Sequence, residues 1–110
     1  MSAQNKPKVV CLCGSTRFKQ EFIRANFEKT RSGEIALTVG WFSHADSEIY
    51  CPTDDENIAL DELHKRKIDL ADYIYVVDVD GYIGKSTRSE IDYAEDHGKD
   101  VVYLSDEGVR

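Results

Sequence analysis

Five consecutive residues, Tyr73-Ile74-Tyr75-Val76-Val77, carry no charged or amide side chain and stand between Asp72 and Asp78. Side chains of a strand alternate between two faces. A strand that is apolar at every position must therefore be covered on both, which is the setting of a parallel sheet packed between helices. The rest of the chain agrees. Short aliphatic runs at 8–13, 35–40 and 100–104 alternate with helical segments at 17–29, 58–70 and 86–97. Phe18, Phe22 and Ile23 recur at helical spacing in the first helical segment, before Gly33. Ile58, Leu60, Leu63, Ile68 and Leu70 supply the apolar contacts of the second, and Gly98 stops the third. Residues 41–57, with Pro52, read as a long loop too polar for the core.

Strands joined by helices pair in parallel through right-handed crossovers. The expectation is one α/β domain over residues 1–110, a small three-layer flavodoxin- or Rossmann-like fold. Its sheet has four or five mainly parallel strands in the order 2-1-3-4. In such sheets ligands bind at the carboxyl ends of the strands, where the order reverses, here between strands one and three.

Charge narrows the partners. There are 21 acidic residues against 14 basic ones, a net charge of −7. A nucleic-acid polymer is held by clustered Lys and Arg, so none is expected; one small phosphate needs only a local cradle. No run of about 18 apolar residues is present, which leaves no membrane helix. Met1 to Pro7 lacks the apolar core of a signal peptide. The three cysteines, Cys11, Cys13 and Cys51, are odd in number and suit a reduced, cytoplasmic protein. His44, His64 and His97 are scattered, none at ligand spacing from a cysteine, so neither a metal nor any other cofactor is expected.

Two loops fall at the reversal point. Gly14-Ser15-Thr16-Arg17 follows strand one and opens a helix; its N–H groups, hydroxyls and guanidinium can hold a phosphate or a sugar hydroxyl, or simply cap the helix. Gly81-Tyr82-Ile83-Gly84-Lys85-Ser86-Thr87 follows strand three and leads to Glu90 in what reads as the first helical turn. Gly84, Lys85, Ser86 and Thr87 are candidate anion contacts. Thr87-Arg88-Ser89-Glu90 also fits a capping box, in which Glu90 reaches back to the cap; with Ser86 as the cap, Glu90 is free. Asp78 and Asp80 end strand three, either to hold sugar hydroxyls and orient a water or as a polar exit into a turn. His64, inside the second helix, can exchange a proton near neutral pH.

Cys11-Leu12-Cys13-Gly14-Ser15-Thr16-Arg17, the helix ending Leu70-Ala71-Asp72, and Gly81-Tyr82-Ile83-Gly84 leading to Ser89-Glu90-Ile91-Asp92-Tyr93-Ala94 resemble the nucleoside 2-deoxyribosyltransferase superfamily, most closely its nucleoside 5′-monophosphate N-glycosidase branch. The resemblance runs from Lys8 to Leu104. It implies cleavage or transfer of the N-glycosidic bond of a nucleotide or nucleoside, with Glu90 attacking the anomeric carbon. It places Gly14, Ser15 and Arg17 against the sugar phosphate, and Gly84 and Ser86 against the 5′-phosphate. It also implies a homodimer or higher oligomer. Where the family has an aspartate to assist the leaving base, the matching region offers Leu63 and His64. Lys85 favours a phosphorylated substrate. Bond cleavage of this kind builds positive charge on the sugar, which a carboxylate stabilises, while the base leaves with a proton. The candidate catalytic set is Glu90, Asp78 and His64.

Two other readings are compatible with these residues. A non-catalytic nucleotide-binding module would keep the pocket and use Glu90 as a cap. Cys11 and Arg17, with five residues between them, have the spacing of a low-molecular-weight tyrosine-phosphatase loop, in which a thiolate attacks phosphorus. No Asp-Pro general-acid motif accompanies them.

Overall fold

The computed structural model describes residues 6–42, 45–46 and 48–107. His44 and most of the N-terminal segment read above lie outside the described residues. Strand β1 (Val9–Gly14) leads through a turn to helix α1 (Lys19–Arg31), then β2 (Ile35–Leu37), α2 (Asp54–Leu70), β3 (Tyr73–Val77), α3 (Lys85–Asp96), β4 (Asp100–Tyr103) and a short α4 (Leu104–Glu107). All strand pairs are parallel and the order is β2-β1-β3-β4. This is the expected small Rossmann-like α/β fold with four strands. None of the described helices is long and apolar enough to cross a membrane.

The two-residue period of the strands divides the core. Val10 and Leu12 of β1, with Tyr73, Tyr75 and Val77 of β3, pack against Phe22 and Ala25 of α1. Cys11 and Cys13, with Ile74 and Val76, face the other way, onto Ile68 of α2 and Ile91 and Ala94 of α3. All five residues of β3 are buried. Each aliphatic side chain buried there contributes about 1.5–3 kcal/mol. Gly14 closes β1 at φ 147°, where a Cβ would stand 2.8 Å from the Val77 carbonyl oxygen. The close approach of β1 and β3 at the ligand end of the sheet thus requires glycine.

Three elements differ from expectation. Helix α2 begins at Asp54 rather than Ile58. Thr53 and Glu56 form a capping box, with Glu56 N donating to Thr53 Oγ1 at 3.2 Å and Thr53 N donating to Glu56 Oε1 at 2.9 Å. The Tyr50 hydroxyl donates to the same carboxylate at 2.8 Å. Strand β2 stops at Leu37 rather than Gly40; beyond it Lys67 Nζ donates to the Thr38 carbonyl at 2.6 Å, where the ladder would have continued. Helix α3 begins at Lys85, with Gly84 as its N-cap and no capping side chain. Glu90 therefore lies in the second turn, not the first. The capping-box reading of Thr87 and Glu90 is replaced by a carboxylate on the buried stripe Thr87, Glu90, Ile91 and Ala94.

Candidate functional site

A cleft of about 710 Å³ opens where β1 and β3 end. Gly14, Ser15, Thr16 and Arg17 line it from the loop after β1, and Tyr82, Gly84, Lys85, Ser86, Thr87 and Glu90 from the approach to α3. His64 lines it from α2. The two loops singled out in the sequence thus share one cavity. Ser15 holds the first loop in shape: its Oγ accepts from Arg17 Nε at 3.0 Å, and its carbonyl accepts from Phe18 N at 3.0 Å. The Arg17 guanidinium lies 4.7 Å from the centre of the Tyr82 ring, and Phe18 meets the same ring edge-on at 5.8 Å. Tyr82 therefore ties the two loops together, and Arg17 is held beside the uncapped end of α3.

Asp78 stands apart. Ser105 donates to it twice, from N to Oδ1 at 2.9 Å and from Oγ to Oδ2 at 2.6 Å. The carboxylate, buried and outside the cleft lining, anchors the start of α4 to the end of β3. Its place in the candidate catalytic set gives way to this structural one. Asp80 sits exposed in the following 3₁₀ turn at φ 54°, a left-handed conformation that aspartate tolerates. His97 Nδ1 donates to the Tyr93 carbonyl at 2.8 Å, and the imidazole stacks on the Tyr93 ring at the end of α3.

Further lining comes from residues the sequence did not single out. Val39, Gly40 and Trp41 follow the short β2, and Asn57, Asp61 and Lys67 come from α2; Leu60 and Leu63, read in the sequence as apolar contacts of that helix, line the cleft as well. Trp41 Nε1 is buried and has no hydrogen-bond partner among the described residues. Asp61 precedes His64 by one helical turn, the spacing that puts two side chains on one face. The capping box that starts α2 early was the missed signal for Asn57, which it places inside the helix.

Beneath the cleft lies a compact group of ionisable side chains. His64 Nε2 is 3.5 Å from Cys11 Sγ and 3.5 Å from Cys13 Sγ. The same nitrogen is 3.9 Å from Glu90 Oε1, within ion-pair range but beyond a hydrogen bond. His64 is 6% exposed and Glu90 8%, and both sulfurs are fully buried. Burial pushes the Glu90 carboxyl up to about 7; the His64 charge opposes this, while Cys11 and Asp61 add to it. His64 is pulled down by burial but ends above its ordinary value, through its hydrogen bond to Cys11 and the Glu90 charge. A hydrogen bond from Cys13 brings the Cys11 thiol down to about 5, helped by His64, and the same bond with burial holds Cys13 well above its ordinary range.

The sequence expectation against a metal rested on the separation of histidine and cysteine along the chain. The fold removes that separation: Cys11, Cys13 and His64 offer ligand atoms all within 4.8 Å of one another.

Comparison of the chain with protein-family models, with curated proteins and with solved structures returned no match in any of the three.

Proposed function

We propose that the cleft cleaves the N-glycosidic bond of a nucleoside 5′-monophosphate, with Glu90 as nucleophile. The observation that carries this reading is the position of Glu90: a carboxylate on the buried stripe of α3, released from capping, facing the cavity shared by both loops. The Glu90 and His64 pair sits at ion-pair distance. With the proton on His64, Glu90 is a carboxylate. It attacks the anomeric carbon, the carbon–nitrogen bond breaks, and its electron pair leaves on the base, which takes a proton from His64. Water, or a second base, then displaces the glutamyl ester. The phosphate rests on the uncapped N–H groups of α3 with Ser86, Lys85 and Arg17, far enough from the reacting bond to orient it. Trp41 lines the cleft and offers an aromatic face to the base.

The test is a panel of nucleosides and nucleoside monophosphates, with and without an acceptor base, read by chromatography. Released base from monophosphates supports the proposal. Ligand-dependent thermal protection with no turnover would instead make the chain a nucleotide-binding module.

The phosphatase reading loses its footing on geometry. Cys11 sits mid-strand, paired with Leu37 and Ile74, three residues before β1 ends, and it does not line the cleft. A phosphate held by the Gly14 to Arg17 loop would not meet its sulfur.

The same proposal includes self-association. Phe27 on α1 is 64% exposed and Leu70 at the end of α2 is 71% exposed, with Ile23, Ile35 and Ile58 also open. The strands at both sheet edges, β2 and β4, have only three and four residues. Edges that short are poor templates for strand pairing, so it is the exposed apolar side chains that suit a second copy.

A further inference from the structure

We infer that Cys11 Sγ, Cys13 Sγ and His64 Nε2 form a binding site for a thiophilic divalent cation, with zinc the best-fitting ion. The inference does not need the glycosidase reading, although it shares His64 with it and places the ion beside Glu90.

The geometry comes first. A tetrahedral zinc with bonds of about 2.3 Å to sulfur and about 2.0 Å to nitrogen holds those atoms roughly 3.6 Å apart. Both sulfur–nitrogen separations are already 3.5 Å. All three ligand atoms fall within 4.8 Å of one another. The strand sets this up: residues 11 and 13 project from the same face of β1, under the helices that carry His64 and Glu90.

The chemistry of the donors selects the ion. Two thiols and one imidazole suit zinc or another borderline-soft cation and are a poor match for magnesium or calcium, which take oxygen ligands. The fourth position faces Glu90, whose Oε1 is the carboxylate oxygen 3.9 Å from His64 Nε2. That gap is too long for a hydrogen bond and can narrow onto a shared ion. His64 and Glu90 line the cleft, which gives an ion a way in from solvent. An ion held there would occupy the His64 lone pair and draw the Glu90 carboxylate away from substrate. Zinc would therefore compete with the chemistry proposed above.

The test is titration of the reduced, chelator-treated full chain with Co²⁺. One cobalt per chain should produce a thiolate-to-cobalt charge-transfer band in the near ultraviolet and the intense visible bands of a tetrahedral ion. Zn²⁺ should bleach both and raise the melting temperature, as a ligand specific to the folded state does. Cys13→Ser and His64→Ala should lose the charge-transfer and tetrahedral signature, and Cys51→Ser should keep it. If Cys13→Ser does not fold, alkylation in urea at the foot of the unfolding transition decides instead, because both sulfurs are buried in the native fold: Zn²⁺ should slow labelling of Cys11 and Cys13 and leave Cys51 as reactive as before. Weak, octahedral cobalt spectra, a signal lost in Cys51→Ser, or no zinc protection of Cys11 and Cys13 would each overturn the site. The readouts are absorption, melting and labelling, so a chain that binds cobalt but releases no base separates this inference from the glycosidase reading.

Discussion

The two faces of the sheet use the same strands for opposite ends. On one, Val10, Leu12, Tyr75 and Val77 meet Phe22 and Ala25 of α1, and the contact is almost wholly apolar. On the other, adjacent positions of the same strands present Cys11 and Cys13 to α2 and α3, which bring His64 and Glu90. A one-residue step along β1 separates packing from chemistry. The first face supplies stability from burial alone. The second places four ionisable groups in an interior where unpaired charge is expensive, and pairs them with one another.

The sharpest way to break this comparison is Glu90→Gln. The substitution keeps the shape of the side chain and removes its charge. Base release should fall by at least about a thousandfold while the fold persists. A variant that keeps most of the native rate would return Glu90 to a packing role and make the two faces alike.

The apolar face is tested by Phe22→Ala, which should lower stability by about 3–5 kcal/mol in denaturant unfolding. Cys13→Ala, one residue beyond Leu12 on β1, should be far milder, because it removes one sulfur and no large apolar body. Equal losses would mean that the Cys–His group is as much a structural core as the other face.

A smaller effect is expected at the phosphate end. Ser86→Ala should raise the Michaelis constant for a monophosphate by roughly tenfold, about 1.4 kcal/mol of charge-assisted bonding. Equal preference of the native chain for free nucleosides would contradict the cradle. Light scattering at micromolar concentration should give a mass above that of one chain; a monomer would contradict the self-association proposed from Phe27 and Leu70.

The mildest test is the pH profile of the melting temperature. Glu90 has its folded-state carboxyl raised to about 7 from 4.5. Its contribution to stability is therefore fully present below pH 4.5 and lost as the pH rises through 7. Glu90→Gln should match the native melting temperature in acid and exceed it by several degrees at pH 8. Parallel profiles would mean that Glu90 ionises as freely as a surface carboxylate.

Much of this was legible in the sequence because it is local or periodic. The all-apolar run Tyr73 to Val77 sets the parallel sheet and its double cover, and the strand–helix alternation gives the order. The two loops at the reversal point follow from that order and converge as expected. What escaped depends on contacts between distant residues. Nothing near Asp78 reveals that Ser105 will take both of its oxygens. His64 lies more than fifty residues from Cys11 and Cys13, and only the crossing of α2 over β1 brings them together. The turn occupied by Glu90 hinged on whether Gly84 or a hydroxyl residue starts α3, and local spacing allows both.

Gly84 begins α3 without any side chain to finish it. A helix left in that condition is an open valence of the fold, and its first amides should exchange with solvent faster than those of α2, which Thr53 and Glu56 close with two hydrogen bonds. The anion proposed for the cleft would supply an acceptor there, and the ligand would become the last piece of the helix. The order of the first turn of α3 would then track ligand concentration, and amide exchange at Lys85, Ser86 and Thr87 would gauge the occupancy of the cleft.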